Sequence, residues 1–224
     1  MSSPGPPTLD IKDKILQAAA EEFAENGYTG SRVGAIARRA GVNKALLYYH
    51  LGDKKSLYGE VILSNLIVAQ DTMNASLKLA NDPEEKFQSV VQAVAQMIAQ
   101  APYLPRLILR EAAFGGLNLP DQVLKEIGRI FNLIRSVLQE GQSQGGFRST
   151  NPLMTHFMIA GSIFFLSVST PLRQRLGKLE NLDIPLAVSP EEIAAHISDI
   201  LLHGLLIPEQ KSTNDHLPKE IEGK

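Results

Sequence analysis

The sequence predicts an all-α protein of about nine helices. Apolar residues recur at three- and four-residue spacing over most of residues 10–208, which is the period of one helix face. No stretch sustains strand-like alternation, and no ordered set of βαβ units occurs. Proline and glycine stand repeatedly beside good capping residues, so helix starts and stops can be placed.

The first helix is expected from Asp10 to Asn26, with Ile11, Ile15, Ala19 and Phe23 on one face and Gly27 as its stop. Ser31 is placed to cap a short second helix through Ala40, which Gly41 breaks. Asn43 caps a third helix over Lys44–His50, and Asp53 caps a long fourth helix that reaches the seventies. Asp82, Pro83 and Glu85 supply a cap, a first-turn proline and a capping-box partner for a helix to about Gln100. Pro102 and Pro105 open a short successor that Gly115 and Gly116 end. Pro120 starts a longer helix that finishes before Gly145 and Gly146. Asn151 and Pro152 begin an apolar helix containing Phe157, Phe164 and Phe165. Ser189, Pro190 and Glu192 repeat the cap, proline and box arrangement ahead of Ile193, Ile197, Leu201 and Leu205. Residues 1–8 and 209–224 read as flexible tails, rich in proline and polar residues respectively.

Composition removes several functional classes. A chain of 224 residues without cysteine holds no disulfide, thiolate metal site or cysteine nucleophile. The N-terminus lacks the basic and apolar regions of a secretory signal. The run Met154–Val168 is 15 residues, short for a bilayer core that needs about 20, and reads as a helix buried in protein. A soluble cytoplasmic protein with no membrane partner is the expectation. Glu111, His156 and His196 form no nucleophile or metal spacing, and neither glycine pair belongs to a phosphate loop. No catalytic residue, metal or cofactor is expected.

Residues 31–50 carry the functional signal: a short amphipathic helix, a break at Gly41 and a second short helix. That is the arrangement in which one helix braces another inside a DNA major groove. Ile36, Ala37, Val42 and Leu47 form the cohesive face. The whole chain has a formal charge of −2, yet residues 29–55 carry Arg32, Arg38, Arg39, Lys44, Lys54 and Lys55 against Asp53 alone, a local charge of +5. A concentrated cationic patch is what phosphate contact requires. Taken alone, the same features also fit a solvated helical hairpin whose tyrosines belong to the core.

Residues 15–57 then decide between these readings, because ILQAAAEEFAENGYTGSRVGAIARRAGVNKALLYYHLGDKKSL resembles the N-terminal domain of the TetR family of transcriptional regulators. Ala18, Phe23, Gly27, Tyr28, Ile36, Ala37, Ala40, Gly41, Val42, Lys44, Leu47, Tyr48, His50, Lys54 and Leu57 carry the match. The resemblance implies a DNA-binding domain over residues 9–55 and a helical effector-binding and dimerisation domain over 56–208. It implies base-edge contacts from Lys44, Ala45 and Leu46, and backbone or thymine-methyl contact from Tyr48. Phosphate contacts are implied for Ser31, Arg32, Tyr49, His50 and Lys54. Three departures stand out. Leu46 replaces a small or hydroxylated residue, Leu51 replaces phenylalanine, and Gly34 and Ala35 stand where polar residues are frequent.

By the same resemblance the protein is a homodimer bound to palindromic double-stranded DNA, and a small molecule releases it. Ligand-dependent activation is the nearest alternative; an enzyme or a purely structural helical module lies further off. Pocket candidates are Met73, Met97, Tyr103, Leu107, Arg110, Glu111, Phe114, Phe131 and His156, and the few interior charges lean toward an apolar or amphipathic ligand. Arg110 beside Glu111 fits either a ligand carboxylate or an internal ion pair. Dimer candidates are Phe157, Gly161, Phe164, Ile193, Ile197 and Leu201, with Gly161 permitting either close approach between subunits or packing within one.

Overall fold

A computed structural model describes residues 10–179 and 188–207, so both expected tails lie outside the described residues. Ten helices follow in order: α1 Ile11–Gly30, α2 Val33–Ala40, α3 Lys44–Leu51, α4 Lys54–Leu79, α5 Pro83–Gln100, α6 Leu104–Ala113, α7 Asp121–Ser143, α8 Pro152–Val168, α9 Thr170–Leu176 and α10 Pro190–Leu205. The tenth relative to expectation is α9, a seven-residue helix with no side-chain cap and no buried residue. It is too short to display an apolar period. Arg173 on α9 holds it against the end of α8 by donating to the Leu166 carbonyl at 2.6 Å.

The local signals act largely where the sequence places them. Asn43 and Asp53 accept from the amides of Leu46 and Ser56 at 2.8 and 2.7 Å. Ser189 and Glu192 close a reciprocal capping box. Asp82 accepts from the Glu85 amide, but the Glu85 carboxylate reaches one residue further back, to the Asn81 amide at 2.8 Å, so that box is displaced rather than closed. Gly27, at φ 70°, breaks the regular path of α1 without ending it, and helical turns resume through Gly30. Ser31 therefore follows α1 and does not cap α2. Arg32 occupies that position, without a side-chain hydrogen bond.

The helices form two layers of organisation. α1, α2 and α3 pack together and against the start of α4, around buried Phe23, Ile36, Leu47 and Leu57. α4 then runs on into the larger body, where α5 packs against α4, α7 and α10, and α8 against α6, α7 and α10. An isolated bridge between Phe147 and Leu206 pins the end of α10 to the α7–α8 connection. The Phe147 ring lies where a Cβ on Gly141 would stand, which makes glycine necessary there. Among the described residues no single helix is long and apolar enough to cross a membrane. The helix α8, expected to be buried in protein, is buried in the protomer on one face only: Thr155, Ile159, Ile163 and Phe164 are buried, but Met154, Phe157, Met158 and Phe165 are each more than half exposed.

Candidate nucleic-acid interface and ligand cavity

Recognition begins with how α3 is held. Leu47 and Leu51 anchor its inner face, which turns Lys44, Ala45, Tyr48, Tyr49 and His50 outward. Tyr49 is 84% exposed, a large aromatic surface offered to solvent beside an imidazole whose ring meets it edge-on. Leu46 is half-buried at the edge of this face. A Cβ built on Gly34 of α2 would lie 2.8 Å from Lys44 Cε. The glycine, a departure from the polar residue frequent in the resembling family, thus makes the shallow channel along which the Lys44 stem runs.

The cations differ in availability. Arg32 and Arg38 are exposed, and neither forms an ion pair among the described residues. Arg39 is committed to α1: it pairs with Glu25 at 2.8 Å and Glu21 at 3.2 Å, with Glu22 at 3.7 Å. The hydrogen bond from Arg39 holds the Glu25 carboxyl below its ordinary range. Arg39 is therefore a strut between α1 and α2, and the local charge counted from sequence overstates what faces a phosphate. Lys54 stands at the first turn of α4 with its ammonium 4.7 Å from the centre of the Tyr28 ring, a cation–π contact. Partial burial pushes its pKa down. Ser31 is the expected contact that the fold turns inward: its hydroxyl is buried and donates to the carbonyls of Gly27 and Glu22 at 2.6 and 3.0 Å.

A second feature lies in the body, a cavity of about 310 Å³ walled by α4, α5, α6, α7 and α8. Of the expected pocket residues, Met73, Met97, Glu111 and His156 line it. The other five do not. Tyr103 accepts a hydrogen bond from Asn65, Leu107 is fully buried in the core, and Phe114 is 72% exposed. Phe131 stands edge-on to the His156 ring outside the wall. Arg110 turns away to donate to the backbone carbonyls of Ala24 and Phe23 at 3.1 and 3.4 Å. The expected alternatives for Arg110 and Glu111 both fail for one reason: adjacent helix residues point in different directions. Glu111 accepts instead from the Tyr58 hydroxyl and the Asn118 side-chain amide, each at 3.1 Å. Burial and this carboxylate together push the Tyr58 phenol pKa well up.

The expected dimer residues also redistribute. Phe157, Gly161 and Phe164 line the cavity. Phe164 and Ile193 are buried within the protomer, which removes them from any surface, and Ile197 and Leu201 are partly buried against the core. Phe157 is also more than half exposed, beside exposed Leu153, Met154, Met158 and Phe165 on α8 and Ile200 on α10. A continuous apolar run, such as α8, gives no signal for which face is covered.

Comparison with known proteins identifies the family. Residues 15–61 match the family of bacterial regulatory proteins described as the tetR family, and residues 83–200 match the tetracyclin repressor-like C-terminal domain. The chain is 28% identical over 199 residues to the HTH-type transcriptional repressor NicS of Pseudomonas putida, covering 87% of this chain and 92% of that one. Among solved structures it resembles the transcriptional regulator FadR of Bacillus subtilis, solved in complex with stearoyl-CoA, at TM-score 0.69 and 20% identity over 85% of this chain and 97% of that one. A ketosteroid transcriptional regulator of Mycobacterium tuberculosis resembles it at TM-score 0.65 and 17% identity, over 90% and 97% of the two chains. With a family match to both the reading head and the helical body, the chain belongs to the TetR family and is a DNA-binding transcriptional regulator.

Proposed function

We propose that this regulator is a dimeric repressor that leaves a palindromic operator when an apolar or amphipathic small molecule enters the cavity. The observation that carries the reading is the position of Glu111. It lines the cavity, yet its carboxylate is held by Tyr58 of α4 and by Asn118 beyond α6. Tyr58 in turn stacks edge-on against Phe23 of α1 at 4.8 Å, and the next residue, Arg110, ties α6 to the α1 carbonyls. A ligand that shifts α6 thereby acts on α1 and α4 together, the two helices that orient the reading head. Release follows if the ligand binds more tightly to the shifted state.

On the DNA side, Lys44, Ala45 and Leu46 meet base edges, Tyr48 meets sugar–phosphate or a thymine methyl, and Arg32, Tyr49, His50 and Lys54 meet phosphates. Ser31 contributes by bracing the α1–α2 junction. Dimerisation uses the apolar surface of Met154, Met158, Phe165 and Ile200, which places two α3 helices in successive major grooves about 34–36 Å apart. The site of action is the cytoplasm, where bacterial DNA is. The stearoyl-CoA in the FadR neighbour joins an apolar chain to a polar group, in keeping with an amphipathic effector here.

Fluorescence anisotropy on duplexes tiled across DNA flanking the gene tests this. One saturable site with two-fold symmetry, bound by two protomers and weakened by a cavity ligand, is the expected result. Uniform weak binding along the whole tile set, or a ligand that strengthens the complex, overturns release from a local operator.

A further inference from the structure

Among the described residues three buried side-chain atoms have no hydrogen-bond partner: Glu126 Oε1, Arg173 Nε and His156 Nδ1. Only His156 of these lines the cavity. Its ring is gripped between two phenylalanines, edge-on to Phe131 at 5.7 Å and to Phe157 at 5.5 Å. An unpartnered nitrogen in an otherwise apolar wall is a cost to the fold, and a ligand atom that satisfies it removes that cost only when bound.

Resting on the reading of this cavity as the effector site, we propose that it takes an uncharged, largely apolar molecule with one hydroxyl or carbonyl oxygen, which hydrogen-bonds His156 Nδ1. Three observations narrow the class. No lysine or arginine lines the cavity, and Arg110 is spent on α1 carbonyls, so an anion finds no counter-charge. Glu111 is the acid on the wall, and both its oxygens already accept from Tyr58 and Asn118, so it is not an unpartnered group awaiting a ligand donor. Burial lowers the His156 pKa, which keeps the imidazole neutral at neutral pH. A neutral ring presents one donor and one acceptor nitrogen, and a hydroxyl satisfies either while a carbonyl satisfies the donor.

The test compares three ligands of one shape: butylbenzene, para-butylphenol and para-butylbenzoate, titrated by calorimetry into the full-length protein at neutral pH. The phenol is expected to bind about fivefold tighter than butylbenzene, the worth of one net hydrogen bond, and the benzoate weakest. In His156→Leu the phenol loses its advantage, and the ratio of its affinity to that of butylbenzene falls to about one. His156→Gln, which retains a hydrogen-bonding group, keeps part of the advantage and serves if the leucine variant fails to fold. Gly161→Leu enlarges a residue that lines the cavity and has no atom within 4 Å of its Cβ position, and should weaken binding of all three. Equal affinity for butylbenzene and the phenol, or tightest binding of the benzoate, overturns the assignment while leaving the cavity as a ligand site. Failure of all three to bind the wild-type protein, or affinities left unchanged by Gly161→Leu, overturns the cavity reading itself.

Discussion

Helices α3 and α8 both hold large side chains out to solvent, and the company those side chains keep separates their roles. On α3, Tyr48 and Tyr49 stand among Lys44, His50 and, across the turn, Arg38. Each tyrosine joins an apolar ring to a polar tip, suited to a surface that is both stacked and charged. On α8, Met154, Met158 and Phe165 are exposed with no formal charge anywhere between Pro152 and Val168. Such a surface has nothing to offer a polyanion and much to offer another apolar face. Exposure alone therefore says little; exposure together with local charge distinguishes a nucleic-acid face from a protein face.

The largest expected effect breaks the α8 side of this contrast. Met158→Glu combined with Phe165→Glu should convert the dimer to a monomer in sedimentation and lower operator affinity about a hundredfold, because one half-site offers too few contacts. The melting temperature of the protomer should change little, since both side chains are already more than half exposed. A variant that stays dimeric moves the interface elsewhere.

Next in size is the α3 side. Lys44→Ala should weaken specific binding about tenfold, the scale of one good base or phosphate contact, and leave the dimer intact. If the salt dependence of binding falls by about one charge while sequence preference is kept, Lys44 contacts phosphate. If preference relaxes at one base pair, it reads a base.

Arg110→Ala probes the joint between the two regions. Its guanidinium ties α6 to the Ala24 and Phe23 carbonyls, and it does not line the cavity. Ligand affinity should be nearly unchanged, whereas the ligand-induced loss of operator affinity should shrink about fivefold, within the usual range of a coupling energy. An unaltered ligand effect assigns the transmission to Tyr58 and Glu111 instead.

The smallest effect sharpens the account of α3. Gly34→Ala improves local helix propensity, by roughly 0.5–1 kcal/mol in an unencumbered helix, but its Cβ must displace the Lys44 stem from 2.8 Å. Operator affinity should fall about twofold with stability equal to or above that of the parent protein in urea melts. Unchanged affinity would show that Lys44 leaves the channel when it meets DNA.

Much of the molecule was legible before any coordinates, and the particular residues show why. Asn43, Asp53, Asn151 and Ser189 start helices through hydrogen bonds that span two or three residues. A cap of that kind is written in the local sequence. The helix-turn-helix was legible for a related reason, since Gly41 at φ 70° and the inward Ile36, Ala37 and Leu47 lie within a dozen residues of one another. The short α9 escaped because it has neither a side-chain cap nor an apolar period.

What escaped elsewhere was the destination of side chains. Arg39 counted toward the basic patch but closes on Glu21 and Glu25, 18 and 14 positions away. Arg110 and Glu111, adjacent in sequence, serve two different partners. Of the residues assigned to an interface, Phe164 and Ile193 are buried within the protomer, whereas Phe157 lines the cavity and is also more than half exposed. The sequence by itself determined nine of the ten described helices, most of their ends, the reading head and the family to which it belongs, because these depend on near-neighbour chemistry and periodicity. Only the tertiary structure decided which face of each helix meets a neighbour, a cavity or solvent, because the rotation of a helix about its axis is set by all the surfaces packed against it.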